Sequence, residues 1–307
     1  MMGAMRFVLL AMCLSLVAGA GGSGQAPPSA TANPDAATFW CPMHPDVRGR
    51  GGDKCPQCGM ALVRTAPADT RPYTLDLEIV PQTLRPLQPG RVRFFVRDPR
   101  TGAIVRRFSL VHERVFHLFI ISRDLDHFAH VHPRLHANGL LEVEVTVPRP
   151  GAYQLIADFL PEGGAPQLVQ RSFVTAGYTA PLSAVPALLP DSADKVVGGT
   201  RVQLTMPEPF AGRRQLITFD VLDETTGAPA GDLEPYLGAT GHLLLASADL
   251  AVASHAHPLA EISGSRSTIV FEVLFPRSGD YRLWVQLQRR GEVVTTAFTV
   301  AVGSLAR

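Results

Sequence analysis

Past residue 64 the chain is written twice. Phe116-His117-Leu118-Phe119 followed by His130-Val131-His132-Pro133 recurs as Gly241-His242-Leu243-Leu244 followed by His255-Ala256-His257-Pro258, so positions 117, 130 and 132 map onto 242, 255 and 257 at one spacing. Upstream, Phe94 to Asp98 recurs as Phe219 to Asp223, each followed by a Thr-Gly turn (Thr101-Gly102, Thr226-Gly227). Asp124-Leu125 recurs as Asp249-Leu250 at the same spacing. Downstream the spacing lengthens by three residues, with Pro148-Arg149-Pro150-Gly151-Ala152-Tyr153 matched by Pro276-Arg277-Ser278-Gly279-Asp280-Tyr281. Surface loops absorb such insertions because closure entropy rises slowly with length. Whatever one copy folds into, the other must fold into as well.

The texture of each copy is β. Leu75, Leu77 and Ile79 alternate with Asp76 and Glu78, and Leu141, Val143, Val145 and Val147 alternate with Glu142, Glu144 and Thr146. Tyr153 to Ala157 and Tyr281 to Val285 follow Pro-x-Gly turns, as strands do. Short strands between Gly/Pro turns over about a hundred residues indicate a sandwich of the immunoglobulin kind. The expected architecture is mainly β, with two tandem immunoglobulin-like β-sandwiches over 72–177 and 200–303, joined by a linker over 178–199. The 27 glycines and 26 prolines agree with many turns.

The chain opens on a secretory pattern over residues 1–20: Arg6, an apolar run from Phe7 to Val17, then Ala18-Gly19-Ala20 as a cleavage site. That run is too short for a membrane span, and no later stretch is long and apolar enough, so no span is expected in the mature chain. Residues 21–37 are Gly, Ser, Ala, Pro and Thr in texture, a flexible tether. The expected location is outside the cytoplasm, periplasmic or extracellular. With 28 basic against 27 acidic residues and no basic cluster, nothing points to a nucleic-acid partner.

Three of the four cysteines fall inside residues 38–65. Cys41 and His44 form C-x2-H, and Cys55 and Cys58 form C-x2-C, separated by a spacer holding Gly49, Gly51 and Gly52. Four such ligands in two short bites suit a tetrahedral ion, with thiolate favouring zinc or monovalent copper. Met43 and Met60 add thioethers beside the set, which copper accepts and zinc does not. A structural zinc ribbon would use the same ligands. A redox Cys55–Cys58 pair lacks the βαβ setting it would need, and a plain disulfide leaves one mature cysteine over.

Cys41-Pro42-Met43-His44-Pro45 followed by Cys55-Pro56-Gln57-Cys58-Gly59-Met60 resembles the small heavy-metal-binding domain found near the N-termini of copper-transporting P-type ATPases and of some metal-efflux adaptors. The resemblance spans Phe39 to Val63 and implies soft-metal binding in export or resistance, with a metal-efflux or metal-transport protein as partner. The family usually carries Pro-Gly before its third ligand; this chain has Asp53-Lys54, which alters the spacer turn and removes no ligand.

The duplicated histidines are the second candidate set. His-x-His puts two imidazoles on one face of an extended segment. A hairpin closing over Arg123 to Phe128 would set Ile121 across from His130 and Phe119 across from His132, bringing His117 to the same face. His117, His130 and His132 could then share one ion, and so could His242, His255 and His257, nitrogen sets that suit copper, zinc or nickel. As neutral ligands they would compete with protons near the unperturbed histidine value of about 6.5. A packing role, with each ring bonded to backbone, stays equally open. His112, His127 and His136 have no counterpart histidine. The His-x-His-Pro corner and strand texture resemble YtkA-like or CopC-like secreted domains. A cupredoxin would need a cysteine within the sandwiches, and both copies lack one.

No nucleophile elbow, P-loop or dinucleotide fingerprint appears, so the chain reads as no enzyme. It reads as an exported metal-binding protein, a mobile soft-metal module ahead of two sandwiches, handling copper or another soft metal. The other reading is a zinc-stabilised scaffold or protein-interaction module outside the cytoplasm.

Overall fold

The structure is a computed structural model that describes residues 39–41, 47–56, 61–64, 71–183, 185–189, 191–259 and 267–304. Three short strands, β1 (Phe39–Trp40), β2 (Arg48–Gly49) and β3 (Val63–Arg64), form an antiparallel sheet in the order β2-β1-β3. The spacer turns back at Arg50–Asp53: Asp53 Oδ2 accepts the Arg50 N–H at 2.7 Å, and Gly52 takes a φ of 93° that suits glycine. The expected change of turn chemistry at Asp53 is therefore a self-closing side-chain bond.

The first repeat supplies β4 (Thr74–Val80), β5 (Gly90–Arg97), β6 (Phe116–Ser122), β7 (Phe128–Val131), β8 (Arg134–Leu135), β9 (Leu141–Val145), β10 (Ala152–Phe159) and β11 (Gln167–Val174). They make two antiparallel sheets, β4-β5-β9-β8 and β11-β10-β6-β7. The second repeat supplies β12 (Asp194–Val197), β13 (Thr200–Thr205), β14 (Arg214–Asp223), β15 (Leu233–Glu234), β16 (His242–Ser247), β17 (Ala253–Ala256), β18 (Thr268–Leu274), β19 (Gly279–Arg289) and β20 (Glu292–Val302). Its sheets run β12-β13-β14-β18 and β15-β19-β16-β17, with β20 on β19. Pairing repeats strand for strand: Phe119 lies across from His130 and Leu244 across from His255, while Asp158 lies across from His117 and Gln286 across from His242. One core topology is thus built twice, with β12 added at an edge of the second copy. Among the described residues there is no helix, and none long and apolar enough to cross a membrane.

Two expectations need correction. The stretch over 178–199 is not all connector, because β12 joins the second sandwich as an edge strand on β13. The metal module is not held apart from the sandwiches either. Cys41, Cys55 and Leu62 form one buried cluster with Val111 and Leu160 of the first repeat. Val111 and Leu160 thus pack against the buried side of the module.

Each repeat has its own core. Phe94, Phe116, Leu118, Tyr153 and Phe159 lie in the first, and Phe219, Phe271, Leu243, Tyr281 and Leu283 in the second. β6 and β16 are buried along their whole length, so both of their faces must be covered. Phe116, Leu118 and Ile120 face their own core, whereas Phe119 and Ile121 join Leu244, Ala246, Leu250 and Trp284 in a third cluster drawn from both repeats. The sandwiches therefore meet through β6 and β16. Trp284, 2% exposed, stacks on Phe128 of the other repeat at 5.3 Å between ring centroids. Trp284→Ala should cost about 3–5 kcal/mol through the cavity it opens, read as a lowered denaturant midpoint.

Candidate metal centre

The hairpin joining β6 to β7 sets the positions of the first histidines. Ser122 N donates to His127 O at 3.1 Å, and Leu125, at a φ of 62°, closes the turn through its own N–H to Ser122 O at 2.8 Å. Ser122 Oγ accepts His127 N at 2.9 Å, and its hydroxyl donates to Asp124. This loop is tighter than the expected one over Arg123 to Phe128, so Phe119, not Ile121, lies across from His130. The register differs by two residues, and a shift of two preserves the face each side chain takes. His117, His130 and His132 therefore still converge. Ser247, Asp249 and Leu250 (φ 61°) build the same turn in the second repeat.

In each repeat the three histidines bring one ring nitrogen apiece within 4.8 Å of one another. His117 Nδ1 stands 3.0 Å from His130 Nε2, and His242 Nδ1 stands 3.2 Å from His255 Nε2. Nitrogens so spaced share either a proton or a cation seated beside them, and the separation is near the roughly 3.3 Å tetrahedral edge set by metal–nitrogen bonds of about 2.0–2.1 Å. The far side of each ring is tied off. His117 Nε2 donates to Val111 O at 2.9 Å and His242 Nε2 to Tyr236 O at 3.0 Å. His130 Nδ1 meets Gln286 Oε1 at 2.7 Å, and His255 Nδ1 meets Asp158 Oδ2 at 2.7 Å. Gln286 Nε2 donates to Thr295 Oγ1 at 2.9 Å, which turns its oxygen toward His130. A second partner of this kind fixes the tautomer and aims the free nitrogen, as it does for metal-bound histidine.

The third ring of each set has nitrogens left over. His132 Nε2 and both ring nitrogens of His257 are buried with no hydrogen-bond partner. A packing role would have tied these groups to backbone, because an unmet buried polar group is costly. The donor chemistry fits a metal ion: neutral imidazoles, oriented by outer partners, with unspent nitrogens pointing inward.

Burial keeps the rings neutral. It pushes His132 down to about 4 and His117, His130, His242, His255 and His257 below the usual histidine range. Proton competition therefore sits lower than the value of 6.5 expected from exposed histidine. Burial raises the Asp158 carboxyl in turn. A neighbouring cation would oppose that shift.

Three residues of the centre stand apart from the repeated histidines. Asp158 and Gln286 occupy equivalent positions on β10 and β19, and each reaches the opposite repeat. His112 sits in a tight turn, Val111 to Arg114, at a φ of 46°; its equivalent is Leu237, at 51° in the turn Tyr236 to Ala239. His112 stacks on His257 at 3.5 Å between centroids, and its Nε2 is buried without a partner. Its ring is pushed down to about 3 by burial.

In the N-terminal module, Cys41 (0% exposed) and Cys55 (1%) lie in one buried cluster. The other expected ligands, His44, Cys58, Met43 and Met60, lie outside the described residues.

Two known families match. The heavy metal binding domain family matches residues 38–65. A domain of unknown function, DUF8832, matches twice, over 68–175 and 195–304. No curated protein matches the chain. Among solved structures, a two-domain fibronectin type III segment of chicken tenascin is similar over 75% of this chain and 99% of its own, at 8% identity and a TM-score of 0.22. Chicken CNTN1 FN1–FN3 is similar over 79% of this chain and 70% of its own, at 9% identity and 0.22. Invasin, a bacterial integrin-binding protein, is similar over 74% of this chain at 16% identity and a TM-score of 0.21, and the chain spans 39% of its length. Likeness at these TM-scores says nothing about function.

Proposed function

Given that the chain belongs to the DUF8832 family and carries a heavy metal binding domain ahead of its two copies, we propose that it is an exported metal-handling protein of the cell envelope with sites in the module and in both sandwiches. The observation that carries this reading is the duplicated triad. In both repeats two ring nitrogens face each other, their outer nitrogens are tied off, and the third ring has buried nitrogen to spare. Copper or another soft metal is the proposed cargo. The sulfur-bearing residues Cys41, Cys55, Cys58, Met43 and Met60 in the module support it, while the leader-like pattern of residues 1–20 supports export. Kinship of the repeats with CopC-like secreted domains would fit the same chemistry. A metal-efflux protein is the proposed partner, on the resemblance of the module alone.

The test is metal content of the full chain recovered from an export compartment and reloaded with copper or zinc. Three ions per chain are expected, one in the module and two in the sandwiches. One zinc alone would favour the scaffold reading instead. Cys55→Ser should lower the count by one, since a tetrahedral set loses a thiolate; an unchanged count would remove the module from the scheme.

A further inference from the structure

The two triads are not separate sites on separate domains. Measured between ring centroids, His117 lies 5.4 Å from His255 and 6.2 Å from His242. His130 lies 5.9 Å from each of the same two rings. Within the triads the spacings are similar: 5.2 Å for His117–His130 and 5.4 Å for His242–His255. Rings this close leave no room for a layer of backbone between one set and the other. His112, from the first repeat, stacks on His257 and lies 5.3 Å from His242, adding a seventh imidazole to one continuous chamber.

The outer partners cross the same boundary. Asp158 of the first repeat orients His255 of the second, and Gln286 of the second orients His130 of the first. The exchange is reciprocal, as in a two-fold interface where each half completes the other. Just beside it, Phe119, Ile121, Leu244 and Trp284 hold the sheets together with apolar contact. Each repeat thus depends on the other for the aim of one ligand.

We propose that the two triads form one binuclear metal centre, in which two ions share a histidine chamber at the junction of the repeats. This inference rests on the reading that the triads hold metal. Ions about 2 Å from their nitrogens, on rings this close, would stand less than about 10 Å apart. The halves are unequal. The second triad is wholly buried and has His112 against it, while His130 and His132 of the first are half-buried, and the position equivalent to His112 is Leu237. The first triad is therefore the less enclosed of the two.

The test is copper(II) titration of the full-length chain carrying Cys55→Ser and Cys58→Ser, which keeps the module from contributing an ion. Bound copper is counted by metal analysis, and the electron paramagnetic resonance spectrum is integrated at each step. One equivalent should give a single uncoupled signal with one spin per copper. A second equivalent should broaden that signal and add a half-field transition. His130→Gln with His132→Gln, at half-buried positions that tolerate glutamine, should hold one copper and stay uncoupled throughout. Two bound coppers whose signal merely doubles would overturn the shared centre and leave the triads as independent sites. One copper at saturation, or coupling that survives in the glutamine variant, would overturn it equally. A chain that retains no copper would defeat the metal reading itself, and this inference with it.

Discussion

With His130, His132, His255 and His257 all changed to glutamine, the chain is expected to lose two ions and keep only the one in the module. Each triad would then retain one imidazole, His117 or His242, already bonded through its other nitrogen to Val111 O or Tyr236 O. Loss of an outer-shell partner alone typically costs 10–100-fold in metal affinity, so loss of two direct ligands should exceed about 100-fold at each ion. Changing only the pair His130 and His132, or only His255 and His257, should remove one ion. Competition against a chelator of known affinity reads the loss, and circular dichroism confirms that the sheets persist. Unchanged affinity in the fourfold variant would mean that the converging nitrogens are packing and that the metal lies elsewhere.

Much of this arrangement is legible in the amino-acid sequence. The spacing between His117 and His242 announces the duplication, and period-two alternation in β4 and β9 identifies the strands and their buried faces. Convergence of the triads is legible too, although the register is not. Face depends only on parity, so a hairpin shifted by two residues leaves the conclusion intact. The loop length itself depends on Leu125 at positive φ, a position where leucine gives no signal.

Asp158 and Gln286 are illegible for a different reason. Each follows a run of buried apolar residues, Leu155 to Ala157 or Leu283 to Val285, and its role depends on contact with the opposite repeat, which no pattern within one repeat encodes. His112 lacks a counterpart histidine, so the duplication does not single it out. Its turn, with two successive residues at positive φ, has the character of a primed hairpin turn, yet it carries His112-Glu113 in place of the usual Asn-Gly. The module's position is also hidden: its tether-like leader suggests mobility, while Val111 and Leu160, which cover Cys41 and Cys55, look like ordinary strand-end residues.

Metal should also decide how stable the paired sandwiches are. An ion that binds only the folded chain adds about 2.7 kcal/mol when present at 100 times its Kd, so two ions add roughly 5 kcal/mol, or a rise of about 10–20 °C in Tm for a body of this size. Without metal the same residues become an acid liability. Burial lowers His132 to about 4 and His112 to about 3, whereas unfolding returns both toward 6.5. Between those values the unfolded chain binds more protons than the folded one, so stability must fall as pH drops. Above about 6.5 both states are neutral at these positions, and no slope from them is expected. The sign is thus fixed: the metal-free chain should hold its midpoint from pH 8 to 7 and lose it progressively from pH 6 to 4. Thermal melts with and without chelator at each pH measure both effects. A midpoint indifferent to saturating metal would place the ions outside the folded junction, and a midpoint flat down to pH 4 would show that these histidines open to solvent without loss of the fold.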